Sequence, residues 1–197
     1  MTLYVTGDDA ADQLILAEPL ALLIAMLLDQ QVPLSWAFKG PQTIAQRLQG
    51  DLSVDRICSL DTEEFVQLCC EKPAIHRFPA VMARRIAAMC RTVRDDYDGD
   101  AARIWTEARD GADLKHRLMQ IDGFGDEKSK ITIALLGKRL GVQLDGWEIA
   151  ARPFGDDQPR SVADAADRKS YEQVRRWKLA MRQAKKSKQD VPDDPMR

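Results

Sequence analysis

The sequence has no long apolar run. Its longest hydrophobic stretch, Pro19 to Leu28, is about ten residues long and stops at Asp29, well short of the roughly 18 residues of a transmembrane helix. No basic segment leads into an apolar core and a cleavage site at the start of the chain, so we expect no signal peptide. These absences predict a cytoplasmic protein without a membrane partner.

Cysteine and histidine are scarce, and their spacing does not suit a metal site. The cysteines lie at positions 58, 69, 70 and 90 without a C-x-x-C pair, and the only histidines are His76 and His116. A structural zinc site needs four such ligands, and neighbouring residues of a helix point to different sides. We therefore expect no metal, reduced and mostly buried cysteines, and histidines at the surface.

The net charge of the 197-residue chain is only −2, but the charge is unevenly distributed. Residues 168–188 hold nine positive side chains and one negative side chain, a local net charge of +8, so the rest of the chain carries about −10. A DNA-binding surface on the rest of the chain must therefore be local, built from few charges and from backbone groups. The basic segment itself is either a solvated helix face or an arm that follows a DNA backbone.

The hydrophobic pattern predicts an all-α fold. Hydrophobic residues make up 45% of the chain and charged residues 30%, the balance of a folded protein. Apolar positions recur at helical spacing, and no segment alternates with period two. We expect a helical domain at 1–166, a basic helix at 167–190 and a disordered tail at 191–197. Towards the N-terminus we predict a helix from 6–9 to about 17, a helix from 19 that ends near 30–33, short helices at 34–38 and 41–48, and two more capped at 51–53 and 61–62. A longer helix is opened by 78–79, has Val81, Ile86, Met89 and Val93 on one side, and precedes a polar break at 95–100. The remaining predicted helices are at 112–119, 126–140, 145–151 and 162–188.

A glycine turn joins two of the predicted helices, in the hairpin 112–140. Gly123 and Gly125 permit positive φ and leave no side chain in the way, so the amides of the turn and of the next helix can point outward together. Amides at the positive end of a helix dipole form a site suited to one phosphate. Ile121 and Phe124 would pack beneath the turn. An ordinary glycine cap between two packed helices is the alternative interpretation.

The turn belongs to a longer pattern. An apolar residue, Gly123, Phe124 and Gly125 are followed four positions later by the small Ser129. This is the pattern of the helix-hairpin-helix DNA-binding motif, in which Lys128 and Lys130 would add positive charge. It predicts double-stranded DNA as the partner, with the binding residues Gly123, Phe124, Gly125, Lys128 and Lys130.

The order of elements over roughly residues 15 to 150 resembles the HhH-GPD superfamily of base-excision DNA glycosylases, which includes endonuclease III and the adenine and alkyladenine glycosylases. The segment 22–32 resembles the family's buried helix ending in a glutamine turn, and 79–93 resembles the helix packed against it. Asp145, in the run 143–147 (QLDGW), follows Gly125 by twenty residues, similar to the family's essential aspartate. The chain looks most like a short bacterial subgroup, which implies a two-lobed helical fold and base excision.

Three departures from the family refine this expectation. Glu127 stands where bifunctional members have a lysine, and Lys128 lies about 100° further around the helix. The resemblance therefore implies a monofunctional glycosylase without lyase activity. No cysteine follows Cys90, so the family's iron–sulfur cluster is not expected. Asp122 replaces the usual proline, and an acid there lowers affinity for phosphate unless it caps the hairpin or helps to hold a monovalent cation.

Asp145 is the candidate for the chemistry. A carboxylate can stabilise the oxocarbenium-like species of glycosidic cleavage or activate water. The alternative is a cap for the helix near Trp147, with Glu148 completing a capping box; both roles can coexist. Gln30 and Gln31 end the buried helix, where either one could fill the space left by an extruded base. A polar helix end is the alternative for both.

Further candidates have ordinary explanations. Trp36, Trp147 and Trp177 could stack on a base, although tryptophan is more often packed in a core. Asp156 and Asp157 resemble an acidic pair but lie in a segment typical of a turn. Two rival functions remain open: a non-catalytic module that binds distorted DNA, and a structural protein whose hairpin binds protein. For a glycosylase we expect a monomer associated with the nucleoid.

Overall fold

The computed structural model describes residues 2–187 and residue 189. Over these residues the chain is all-helical and forms no β-strand, as the sequence predicts. The helices divide between two compact units. The N-terminal unit contains Val5–Glu107 and Gln120–Phe124, and the C-terminal unit contains the other described residues. The expected disordered tail at 191–197 lies outside the described residues.

The N-terminal unit is built around a helix with no exposed side. Every residue of this helix, α2, from Leu20 to Leu28 is buried, because nearly all of its side chains are aliphatic. The first, third and sixth helices contact it. The helices of this unit are α1 (Asp9–Ala17), α2 (Pro19–Leu28), α3 (Leu34–Arg47), α4 (Val54–Ser59), α5 (Thr62–Cys70), α6 (Pro79–Tyr97) and α7 (Arg103–Thr106).

None of the described helices is by itself long and apolar enough to cross a membrane. Helices α1 and α2 meet that criterion only when taken together, and they are bent by 114° at their junction.

Helix α3 corrects one prediction. The sequence predicts two short helices, at 34–38 and 41–48, because proline removes a backbone donor from a helix. The structure forms one continuous helix with Pro41 inside it. Ala37, Phe38 and Ile44 are buried on both sides of the proline, and α3 contacts α2 and α1. Tertiary packing therefore outweighs the missing hydrogen bond.

Helix α6 corrects a second prediction. Val81 was expected on the buried side with Ile86, Met89 and Val93, but it is 50% exposed. Met82 takes the inner position and is buried. At about 100° per residue, Met82 lies about 40° from Ile86 on the helix surface, whereas Val81 lies about 140° away.

The predicted caps of α4 and α5 are present. The Ser53 hydroxyl accepts a hydrogen bond from the Arg56 amide at 3.1 Å. The Asp61 carboxylate accepts from the amides of Glu63 and Glu64. These side chains satisfy donors that a helix start leaves without partners.

The C-terminal unit packs four α-helices and two short turns. They are α8 (Gly111–Met119), α9 (Asp126–Leu135), a π-helical turn (Leu136–Leu140), α10 (Trp147–Ala150), a 3-10 turn (Val162–Asp164) and α11 (Arg168–Gln183). The predicted helix at 162–188 is wrong at both ends. Asp167 and Ser170 form a capping box that starts α11 at Arg168, and the helix ends at Gln183 before Lys185 adopts a φ of 54°.

A buried ion pair lies in this unit. The Lys138 ammonium is 2.6 Å from the Asp164 carboxylate, and both side chains are largely buried. The other oxygen of Asp164 accepts from the amides of Arg160 and Ser161. Burial raises the pKa of Asp164 in spite of the ammonium beside it. The ionised carboxylate is therefore disfavoured in the folded state even beside Lys138, and without the ammonium it would be disfavoured more strongly.

We expect Lys138→Met to lower the free energy of unfolding by about 3–5 kcal/mol at neutral pH, because it leaves Asp164 buried and unpaired. The deficit should shrink as the pH falls toward the raised pKa of Asp164, since protonation removes the unpaired charge. Urea unfolding at several pH values measures both effects. Lys39→Met, at an exposed position, is the control. A loss below about 1 kcal/mol that does not vary with pH would contradict the compensation by Lys138.

Candidate nucleic-acid interface

The hairpin has the predicted local geometry. Helix α8 ends at Met119 and α9 begins at Asp126. The amide of Phe124 donates to the carbonyl of Ile121 at 3.0 Å and closes the turn between the helices. Ile121 and Phe124 are buried, as expected. Because the Phe124 amide is used inside the turn, it is not among the amides that point outward together.

Gly123 is the residue on which the turn depends. Its φ is +88°, in the left-handed region that favours glycine. A Cβ atom here would lie 2.5 Å from Leu27 Cδ1 of helix α2. The glycine therefore serves two purposes, a backbone conformation and a close approach to the buried helix.

Gly125 offers the anion site that the motif predicts. It is the N-cap residue of α9, in extended conformation, and no side chain caps the helix. The amides of Gly125 and Asp126 have no acceptor among the described residues. A Cβ atom at Gly125 would meet nothing within 4 Å. Two backbone donors at the positive end of a helix dipole are thus accessible to an anion.

Lys130, one of the two lysines predicted to contact DNA, already has partners in the folded chain. Lys130 Nζ lies 2.7 Å from Asp126 Oδ2 and 2.9 Å from Gln189 Oε1, and its side chain is only 19% exposed. Lys115 Nζ lies 2.6 Å from the other oxygen of Asp126. Hydrogen bonds from Lys115 and Lys130 lower the pKa of Asp126. The ammonium of Lys130 therefore already stabilises the start of α9, and its contact with DNA stays a prediction, as does that of the half-buried Lys128.

Gln30, the candidate for filling an abasic gap, is held in a network beside the hairpin. Its Nε2 donates to the carbonyl of Leu27 at 3.0 Å, and its Oε1 accepts from Arg85 at 3.2 Å. Arg85 Nε also lies 4.0 Å from the carboxylate of Asp122. The acid that replaces the family's proline thus has an arginine beside it. Gln31 is exposed and turns the chain with a φ of 55°.

His76 corrects another prediction. The sequence suggests a surface histidine, but the side chain is 1% exposed. Its Nδ1 accepts from the amide of Phe78 at 3.0 Å, so in the neutral ring Nε2 carries the proton and donates to the carbonyl of Gln30, 2.8 Å away. His76 therefore fixes the backbone of Gln30. Sequence spacing could not reveal this, because the two residues are 46 positions apart. His116 is exposed, as expected.

Asp145 is exposed and does not cap a helix. Gly146, with a φ of 68°, is the N-cap residue of α10, and no side chain caps that helix. The capping interpretation of Asp145 and its predicted box with Glu148 are therefore wrong. The Asp145 carboxylate has no hydrogen bond or ion pair with any described residue. It remains available for chemistry, and a catalytic role stays a prediction.

Two glycines that sequence reasoning missed hold the Asp145 turn. The amide of Gly111 donates to the carbonyl of Asp145 at 2.8 Å. A Cβ atom at Gly111 would lie 2.7 Å from the Cα of Trp147, and one at Gly137 would lie 2.6 Å from the Trp147 ring. Trp147 is thus packed closely against α8 at Gly111 and against the π-helical turn at Gly137. The one available signal was Gly137 inside a predicted helix, where glycine is unfavourable without a packing reason.

The other candidates have structural roles. Trp147 and Trp177 are buried, and Trp36 donates its indole N–H to the carbonyl of Ala74. Asp156 pairs with Arg160 at 2.7 Å, as a turn residue would.

The cysteines are less buried than the sequence predicts, because Cys70 is exposed and Cys58 is half-buried. All four cysteines are free, and Cys69 and Cys90 are buried. Burial raises the pKa of Cys69 to about 12. The described residues contain no group of three or more His, Cys, Asp or Glu side chains that could hold a metal ion.

Comparisons with known proteins do not establish a family for the chain. No family model matches the chain, and no curated protein matches it. Among solved structures, an endonuclease III trapped as a covalent intermediate with DNA, in an estranged-adenine complex, matches 80% of this chain and 72% of its own chain. The TM-score is 0.45 and the sequence identity 16%. Neither relationship nor activity follows from similarity at that level.

The two hairpin glycines should respond differently to the same added methyl group. We expect Gly123→Ala to lower the free energy of unfolding by about 1–3 kcal/mol, because the residue has positive φ and crowds Leu27. Gly125→Ala, with negative φ and open space, should change it by no more than about 0.5 kcal/mol. Urea unfolding of both variants tests the hairpin geometry. Equal losses in the two variants would contradict it.

Proposed function

We propose that the chain binds double-stranded DNA through the hairpin and hydrolyses the glycosidic bond of a damaged or mispaired base. The observation that supports this proposal best is the hairpin itself. Gly123 seats the turn against Leu27, and Gly125 starts α9 without a capping side chain. The amides of Gly125 and Asp126 have no acceptor among the described residues, and a phosphate would supply the missing acceptors.

Recognition of the backbone through amides suits the charge of this chain. Outside residues 168–188 the net charge is about −10, so general attraction to DNA is weak in that region. Backbone N–H groups bind one phosphate by hydrogen bonding and by the helix dipole, without any net positive charge. A contact of this kind positions the protein on the duplex and does not read sequence.

Gln30 is suited to replace an extruded base. An enzyme that flips a base out of the stack needs a side chain to fill the gap and satisfy the orphaned partner base. The carboxamide of Gln30 has both donors and an acceptor, and its contacts with Leu27 and Arg85 hold it in one orientation. A preorganised side chain loses less conformational entropy on insertion.

Asp145 would serve the reaction at the sugar. As the bond between C1′ and the base nitrogen breaks, its electron pair leaves with the base and positive charge develops on the sugar. A carboxylate stabilises that charge and accepts a proton from the water that attacks C1′. The Asp145 carboxylate is exposed and does not cap a helix. It has no hydrogen bond or ion pair with a described residue that would have to be broken for this role. The product is an abasic sugar in an intact strand.

The residue at position 127 favours hydrolysis over strand cleavage. A lyase forms a Schiff base between a lysine and C1′. By resemblance, the position for that lysine is Glu127, and Lys128 is on another side of α9.

A second candidate is a module that binds distorted DNA without chemistry. The exposure of Asp145 favours it, because an active-site carboxylate gains from exclusion of water. Release of a base is the property that separates the two candidates.

We expect Gly125→Ala to weaken binding to a duplex by about 10- to 100-fold, the effect of losing one or two charge-assisted hydrogen bonds. The methyl group would occupy the space next to the free amides. Fluorescence anisotropy with a labelled duplex measures the affinity. Gln67→Ala, at an exposed position of α5, is the control. Wild-type affinity in folded Gly125→Ala would reject the hairpin as the binding site.

We expect Asp145→Asn to keep duplex affinity near that of the wild type and to slow base release by about 100-fold or more, because it removes the charge and keeps the shape. Single-turnover assays on a panel of lesion duplexes measure this rate.

Three results would count against the scheme. Full activity of Asp145→Asn would exclude Asp145 from the chemistry. A covalent adduct trapped with borohydride would show that a lysine acts as nucleophile. No release of any base by the wild type would favour the binding module.

A further inference from the structure

Helix α11 presents a row of arginines that the hairpin site does not use. Three arginines, Arg168, Arg175 and Arg182, follow one another at intervals of seven residues. Seven residues make nearly two helical turns, so the three lie on one side of the helix, about 10 Å apart along its axis. All three are exposed. Arg176 lies about 100° around the helix from Arg175 and is exposed as well.

The helix is fixed with this side toward solvent. Val174, Trp177 and Met181 are buried and lie about 100° to 160° around α11 from Arg175. The capping box of Asp167 and Ser170 fixes the start of the helix. The guanidinium of Arg160 lies 5.5 Å from the Trp177 ring centre and anchors its middle. The arginine row is therefore held on a rigid support and does not swing on a free tail.

Few acidic side chains neutralise the positive charge of the arginine row. Arg168 pairs with Glu172 at 3.3 Å, and both side chains are largely exposed. Arg175, Arg176 and Arg182 have no acidic partner among the described residues. Folding gains nothing from gathering unpaired like charges on one side of a helix, because they repel one another. A polyanion is the partner that would make this arrangement favourable.

We propose that the arginine row of α11 binds the phosphate backbone of duplex DNA as a second contact surface, independent of the hairpin. A straight row of guanidinium groups suits a regular line of phosphates, to which arginine donates in bidentate fashion. An anionic membrane fits less well, because helices that lie on membranes insert an exposed apolar face. The apolar side of α11 is covered, and only Leu179, 56% exposed, interrupts its outer side.

Binding of DNA by α11 would explain why positive charge is concentrated in residues 168–188. The hairpin would fix one phosphate through amides, and α11 would supply the salt-dependent attraction that the rest of the chain, at about −10, cannot supply. Contacts with phosphates carry no sequence information. The arginine row should therefore raise affinity equally for intact and damaged duplexes, and discrimination between them should lie elsewhere.

The inference rests on the proposed binding of DNA, and the experiment separates the two. The duplex affinity of Arg175→Gln/Arg182→Gln is measured by anisotropy between 50 and 200 mM salt. If both arginines contact phosphates, the slope of log affinity against log salt falls by about 1.8, so the fourfold rise in salt weakens binding about 12-fold less than in the wild type. Arg175→Lys/Arg182→Lys should restore most of the slope, because the charge is kept.

A matched control removes the same charge elsewhere. Arg56→Gln/Arg91→Gln changes two exposed arginines of α4 and α6 that have no ion pair among the described residues, and it should leave the slope within about 0.5 of the wild type. An equal fall in slope for the control would mean that net charge alone matters, and it would overturn the proposal. So would an unchanged slope in the α11 variant.

The remaining outcomes distinguish the two proposals. A lower slope in the α11 variant together with normal affinity of Gly125→Ala would support the arginine row and reject the hairpin. A normal slope with weak Gly125→Ala would do the reverse. Failure of the wild type to bind any duplex would overturn both proposals. If anionic vesicles bound the wild type and not the α11 variant, and duplex did not bind, the partner would be a membrane and the inference would be wrong.

Discussion

The close approach of Gly123 to Leu27 holds the hairpin turn against the buried helix α2. Helix α2 has no exposed side, so its position is set by packing on all faces, which allows little displacement. The hairpin turn approaches this helix so closely that a single added methyl group would overlap Leu27 Cδ1, at 2.5 Å. The backbone of the turn at Gly123 is thus held by the same core that stabilises the N-terminal unit.

The same helix also orients Gln30, just beyond its end. Leu27 accepts a hydrogen bond from the Gln30 side chain, and His76 donates to the Gln30 backbone. Arg85 donates to the carboxamide oxygen of Gln30 and lies beside Asp122 of the turn. A polar network whose members are satisfied in this way is rigid, because each group would lose a partner on moving. Arg85 therefore connects the orientation of the Gln30 side chain to the position of Asp122 in the turn.

The sequence was sufficient for features that depend on local chemistry. Helical periodicity, the caps at Ser53 and Asp61, and the glycine turn follow from short-range rules, and all of them are present. Features that depend on distant residues were missed. Pro41 stays inside a helix because α2 supports it, and His76 is buried because its partner lies 46 residues away. The fit of Trp147 against Gly111 and Gly137 is likewise invisible without the tertiary arrangement.

Asp145 shows why a motif alone does not define a role. Its sequence context suits a helix cap, and local rules would assign it one. In the structure Gly146 takes the N-cap position, since Gly111 holds the Asp145 carbonyl from outside the turn. With its backbone fixed in this way and Trp147 packed between glycines, the carboxylate has no structural task among the described residues. The structure thus removes the cap as an explanation for this acid, and its catalytic role stays a prediction.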